Sequence, residues 1–259
     1  MKIMIIRHGD PDYEHDTLTP AGWKEAEALA DMLVHEKMDY IYVSPLGRAR
    51  DTASCTLKAT GRKEDAVFEW LQEFPPVLQM KEGDELLPAY PDAHLIRDGI
   101  YRQNVVWDIL PSYWTNDPVY SDMDAWRGSV IAEKSNMAAA YDHVITNFDG
   151  LLKKHGYERH DNYYRAVQPN TDTLVFFCHF GLECVLLSHL LNVSPFTLFH
   201  GTAFAPTSVT VIHTEERQEG IAYFRAARLG DVSHLYAAGI QPSFSARFCE
   251  VYTDWTQRH

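Results

Sequence analysis

Only four cysteines, Cys55, Cys178, Cys184 and Cys249, occur in the 259 residues. Their spacing matches neither a disulfide framework nor a zinc pattern, so free thiols are expected. No apolar run approaches the roughly 20 residues that a membrane-spanning helix needs. The opening Met1-Lys2-Ile3-Met4-Ile5-Ile6 is too short for a secretory signal before Arg7 interrupts it, so a cytoplasmic protein is expected. Basic residues are also scarce. Lys and Arg number 23 against 36 Asp and Glu, a formal net charge of −13. Such a balance excludes the broad basic face that nucleic acid requires. No internal repeat or low-complexity tail is present.

Against that background, Arg7-His8-Gly9 stands out, directly after the apolar run Ile3 to Ile6. The run reads as a buried strand, and the tripeptide falls at its carboxyl end, where open α/β sheets bind ligands. Arginine offers a planar fork for phosphate. Neutral imidazole can attack phosphorus, and glycine lets the backbone approach an anion. Three further segments follow in compatible order. Ser44-Pro45 after Tyr40 to Val43 reads as a capped helix start, and it places Arg48 near a positive helix end that favours a cation only if an anion is nearby. Phe68 to Leu71 is a strand candidate followed by Glu73. Leu174 to Cys178 is an apolar strand ending at His179, with Gly181 opening a helix.

The remaining pattern organises the fold. Thr19 caps a helix led by Pro20 and running to about residue 36. Strands 39–43 and 66–71 with helix 46–60 complete a βαβαβ opening, hence parallel pairing with right-handed crossovers. Residues 74–126 break the rhythm with prolines and aromatics, and Ala93 to Leu110 reads as a helix. Residues 127–154 read as helical and 157–170 as a polar connection. Strand 172–178, helix 181–192 and two strands at 207–213 and about 220–227 follow, the last two joined as a hairpin. The aromatics of 243–259 point to a packed C-terminus. The expected fold class is α/β, a three-layer sandwich with a mostly parallel central sheet flanked by helices. It forms one domain over 1–259, with a helical or irregular insertion at 75–126 lying as a lid over the active-site end.

Arg7-His8-Gly9, Leu18-Thr19-Pro20-Ala21-Gly22, Ser44-Pro45-Leu46 with Arg48-Ala49 and Thr52-Ala53, Glu73, and His179 with Gly181 together resemble the histidine phosphatase superfamily in its phosphoglycerate-mutase-like branch. Pro206 to Ile212 and Gly230 to Leu235 extend the likeness, whereas 75–140 has no counterpart. The resemblance implies that Arg7 and Arg48 clamp phosphate, that His8 is the nucleophile, and that His179 adds a donor and positive charge. Glu73 is the implied proton donor, ahead of Glu69, Glu82 and Glu85. Phe180 directly after His179 excludes the variant that carries an acidic residue there. The Asp10 to Asp16 loop has no Asn, which favours a phosphatase over a mutase.

The expectation is therefore metal-independent hydrolysis of a small phosphorylated molecule through phosphohistidine, with no cofactor. A phosphoglycerate-mutase-type transfer enzyme and an inactive phospho-ligand-binding relative stand as alternatives. Arg97, Arg102 and Arg127 are candidates for a second anionic group on the substrate, and His15 for a substrate contact. Asp10 and His234 read as structural, and His155 and His160 as surface residues. Cys178 and His179, adjacent on a strand, face opposite ways and form no metal site with Cys184. Neither the substrate nor the oligomeric state is written in the sequence.

Overall fold

A computed structural model describes residues 1–90, 95–97, 99–101, 104–243 and 249–258. The chain forms two compact units. One comprises Met1–Glu73, Leu151–Glu183 and Ala203–His259; the other comprises Phe74–Gly150 and Cys184–Thr202.

The first unit is built on an eight-stranded sheet. Its strands are β1 (Lys2–Arg7), β2 (Tyr40–Val43), β3 (Ala66–Val67), β4 (Tyr157–His160), β5 (Tyr163–Ala166), β6 (Thr173–Cys178), β7 (Val209–Gln218) and β8 (Ile221–Asp231). They lie in the order β4-β5-β8-β7-β1-β6-β2-β3. The β1-β6-β2-β3 half is parallel, while β4, β5, β8 and β7 join it through antiparallel pairings. The sheet is thus mixed, within the expected α/β fold with flanking helices. The excess of antiparallel pairing has a local cause. Residues 157–166 form the β4–β5 hairpin instead of a polar connection, turning at Asp161, which holds φ +50°. Polar Glu158, Arg159 and Arg165 mask a half-buried edge pair.

Alternation along β1 sends Met4 and Ile6 to one face. There they pack with Ile41, Val43, Val175, Phe177, Val209 and Val211 against Leu29 and Leu33 of α1 (Pro20–Leu33) and Ala53 of α2 (Gly47–Thr60). Thr19 caps α1 as expected, its side chain accepting from the Gly22 N–H, and Pro20 takes the first helical position. Such a cap contributes about 1 kcal/mol. The helix ends at Leu33, a turn before the expected limit. Ser44 is not the cap of α2. Leu46 holds that position, and the Ser44 hydroxyl is used elsewhere. The strand expected over 66–71 stops at Val67, and Glu69–Leu71 is a 3-10 turn that buries Trp70 and Leu71 and exposes Glu69.

The second unit also departs from expectation. No helix spans 93–110. Leu95–Arg97 and Ile100–Tyr101 pair as antiparallel strands around Gly99, which holds φ +72°, and Asn104–Val105 pairs with Val77–Leu78. Gly99 supplies the positive φ that a tight turn favours, and the β-branched residues around it favour strands over helix. The expected 127–154 helix is two, Val130–Ser135 and Met137–Lys154, broken at Asn136 in the left-handed conformation. In the C-terminal segment, Phe244 and Phe248 lie outside the described residues. Val251 and Tyr252 are exposed, so these two side chains do not pack. Among the described residues, no helix is long and apolar enough to cross a membrane.

Candidate active site

Strand register brings the two histidines together. Arg7 pairs with Cys178 at the last position of the parallel β1–β6 ladder, so His8 and His179 follow at adjacent carboxyl ends. The His8 N–H donates to the Cys178 carbonyl at 3.0 Å, and the two imidazole centroids stand 5.1 Å apart. Ser44 leaves β2 beside them, its N–H bonded to the Phe177 carbonyl.

His8 is buried. Its Nδ1 lies 2.7 Å from the Gly9 carbonyl, which can only accept, so Nδ1 carries the hydrogen and Nε2 keeps its lone pair. Arg48 Nε donates to that Nε2 at 3.3 Å. The loop that presents His8 is held by close packing. The Gly9 N–H donates to Thr52 Oγ1 at 2.9 Å. A Cβ on Gly22 would stand 2.3 Å from the Asp10 carbonyl oxygen, so only glycine lets the first turn of α1 come this close. Asp10 is structural as expected, accepting from both the backbone and the side chain of Thr19. On the other side Thr207, at φ +60°, donates its N–H to the carbonyls of Arg7 and His8, and His234 Nε2 lies 3.0 Å from its hydroxyl.

Arg48 sits in the first turn of α2, and Asp16 is the anion that its position requires. One Asp16 oxygen accepts from Arg48 Nη1 at 2.6 Å and the other from the Gly47 N–H at 2.6 Å. Partial burial raises the Asp16 carboxyl, but these hydrogen bonds and the Arg48 charge outweigh it and hold the pKa below the ordinary value. Tyr13 covers the Arg48 guanidinium at 5.4 Å. Arg7 donates through Nη1 to the Phe204 carbonyl and lies over the Phe180 ring at 5.6 Å.

His179 is fully buried. Its Nε2 lies 2.7 Å from Ser44 Oγ, and its Nδ1 has no hydrogen-bond partner among the described residues. It opens α3 (Phe180–Leu191), whose Leu182 N–H donates to Glu73 Oε1 at 3.3 Å. Glu73, half-buried, is thereby tied to the helix turn that follows His179. Of its rivals, Glu69 is exposed, and Glu82 and Glu85 are exposed in the other unit, where Glu85 pairs with Lys134. His15 is an exposed partner of Asp12, and Arg127 binds Asp142 and lies over Trp126. Arg102 and the side chain of Arg97 lie outside the described residues. Half-buried His155 is not a plain surface residue, because its Nε2 lies 2.7 Å from the Tyr42 hydroxyl. Among the described residues no three His, Cys, Asp or Glu side chains are grouped to hold a metal ion.

The positive charge expected on His179 is absent from the resting site. Burial, then His8, Arg48 and Arg7, push its pKa well below the ordinary value. Burial and Arg7, with a smaller push from Arg48, lower His8 from 6.5 to about 3. The two arginines alone therefore make the pocket cationic. Both histidines have depressed folded-state values, so their stabilising contribution is complete above about pH 6.5 and is lost as pH falls through the folded values. Wild-type stability should fall between pH 6.5 and 4, and His8→Asn should flatten that slope by up to about 1.4 kcal/mol per pH unit. Urea-unfolding midpoints of the two proteins across this range test it; identical slopes would contradict it.

Sequence reading missed Asp16, the Ser44–His179 bond and Thr207. Only Asp16 had a signal, the unexplained cation at a helix start.

The family model of the histidine phosphatase superfamily (branch 1) matches residues 3–98, a span that includes Arg7, His8, Arg48 and Glu73. No curated protein sequence matches the chain. Among solved structures, a mutant phosphoserine phosphatase from Entamoeba histolytica in complex with phosphoserine superposes with a TM-score of 0.56 at 18% identity. It covers 90% of this chain and 98% of its own. YhfR from Bacillus stearothermophilus gives 0.54 at 18%, covering 90% and 98%. A mycobacterial glucosyl-3-phosphoglycerate phosphatase in complex with VO3 gives 0.53 at 19%, covering 88% and 98%. At these identities the structural likeness establishes the fold alone, and over residues 3–98 the chain is similar to the histidine phosphatase superfamily, branch 1.

Proposed function

We propose that the protein is a phosphatase that hydrolyses a small phosphomonoester through a phosphohistidine on His8. The observation that carries this reading is the fixed tautomer of His8, with Nδ1–H held on the Gly9 carbonyl and Nε2 facing the Arg48 guanidinium. Imidazole so held is an oriented nucleophile that needs no deprotonation, because burial already keeps it neutral. The substrate dianion binds Arg7 and Arg48, with Arg48 exchanging His8 Nε2 for a phosphoryl oxygen. If Ser44 donates its hydroxyl proton to His179 Nε2, His179 presents Nδ1–H as a further donor to the equatorial oxygens. Bond formation from His8 Nε2 to phosphorus accompanies departure of the ester oxygen, which takes a proton from Glu73. Glu73, now a carboxylate, then removes a proton from the water that attacks the phosphohistidine, releasing phosphate and restoring His8.

In this reading two arginines neutralise the transferring phosphoryl group, and no step is assigned to a metal. The relatives named for phosphoserine and glucosyl-3-phosphoglycerate support a small phosphorylated substrate. Hydrolysis of an aryl phosphate in the presence of EDTA, from mildly acidic to mildly alkaline pH, tests the reading. Turnover undiminished by the chelator is expected. Absence of turnover with any phosphomonoester would remove it and favour a binding protein.

A further inference from the structure

Glu183 lies four residues after His179 on α3 and has no part in the chemistry above. Its side chain is fully buried, and neither carboxyl oxygen has a hydrogen-bond partner among the described residues. A buried carboxylate without such partners is costly, so this residue type needs a reason. Its surroundings supply one. Arg7 acts on it from the end of β1 and Glu73 from the segment after β3, while the Thr210 hydroxyl of β7 lies close enough to favour the ionised form. Arg7 is itself incompletely satisfied, its Nε buried without a partner. Two buried groups of opposite potential charge, a carboxyl and a guanidinium with an unpartnered Nε, thus act on each other near the end of β1.

We propose that Glu183 is a positioning residue that controls how much of the Arg7 charge reaches the substrate. As the neutral acid it leaves the guanidinium fully cationic for the phosphoryl dianion. As the carboxylate it takes the guanidinium for itself and adds a negative charge beside Glu73, which weakens anion binding.

The balance favours the neutral form in the resting protein. Burial is the largest influence and pushes the carboxyl up to about 8. Thr210 and Arg7 pull it down, and the Glu73 charge pushes it up again. Because the folded value lies above the ordinary 4.5, ionising Glu183 costs folding stability. The contribution of the neutral group is complete below about pH 4.5 and is lost as pH rises through about 8. Stability should therefore decline between about pH 4.5 and 8 and level off above, where the activity loss through the same group begins.

The inference rests on Arg7 binding the phosphoryl group, and its test separates the two claims. In kcat/KM profiles with an aryl phosphate, the wild type should lose roughly tenfold for each pH unit above the transition. The loss should appear in KM more than in kcat, because it concerns binding. Glu183→Gln, which cannot ionise, should retain neutral-pH activity and lose this limb, and inhibition by inorganic phosphate should lose the same pH dependence. A variant of normal activity with the wild-type alkaline limb would overturn the proposal. Infrared spectroscopy of the wild-type protein needs neither turnover nor a folded variant. It should show a protonated-carboxyl carbonyl band at neutral pH that disappears as the pH passes the transition, and absence of the band at neutral pH would also overturn the proposal. A band that is lost in Glu183→Gln, in a protein that hydrolyses no phosphomonoester, would leave Glu183 assigned as the buried acid and remove the phosphatase reading instead.

Discussion

His8→Ala is expected to reduce kcat/KM for every phosphomonoester by on the order of ten-thousand-fold while leaving the protein folded. The size follows from the role. Nucleophile and charge clamp act as a unit, and removing the nucleophile strands the rest, so the loss resembles that of the whole unit and not a share of it. Structural damage should be limited. The His8 ring makes one hydrogen bond to its own neighbour's carbonyl and one long bond from Arg48, while the strand end is held by backbone bonds to Cys178 and Thr207. Alanine keeps those backbone bonds. The check is a steady-state comparison with thermal unfolding on the same samples. Residual activity within about tenfold of wild type, in a folded variant, would assign the chemistry elsewhere.

Glu73→Gln has the second large expected effect, and its size depends on the substrate. An alkyl phosphate expels a strongly basic alkoxide, and general acids contribute roughly a hundred- to ten-thousand-fold to such steps. A nitrophenyl phosphate expels a weakly basic phenolate that departs without a proton. Formation of the phosphoenzyme from the alkyl ester should therefore fall by about a thousandfold, and from the aryl ester by no more than about tenfold. Single-turnover rates with the two esters supply the comparison. Glutamine preserves the acceptor for the Leu182 N–H, so the turn beside His179 should stay in place. Equal losses for both esters would give Glu73 a positioning role in place of proton transfer.

What the sequence made readable was what strand ends and caps encode locally. Apolar runs ending in Arg7-His8 and in Cys178-His179 announce two strands with an imidazole at each carboxyl end, and parallel pairing then makes them neighbours. Thr19-Pro20 encodes a helix start through its own side chain. What escaped depended on distance or on competing local signals. Asp16 reaches Gly47 and Arg48 across about thirty residues. Ser44 has the features of a cap, yet its hydroxyl goes to His179. The apolar spacing over 93–110 suggests a helix, whereas Leu95–Arg97 and Ile100–Tyr101 pair as strands. Glu183 looks like an ordinary helical residue, and only the folded chain shows that it is buried, with Arg7 and Thr210 acting on its carboxyl.

The central claim is a covalent phosphoryl group on His8, and trapping it tests that claim most directly. The protein would be mixed with a rapidly reacting aryl phosphate, quenched in alkali and mapped by peptide mass spectrometry. The account predicts an acid-labile, alkali-stable phosphoryl group on His8, formed no more slowly than turnover and absent from His8→Ala. Rapid turnover with no phosphoryl group on His8, or with one on another residue, would contradict it.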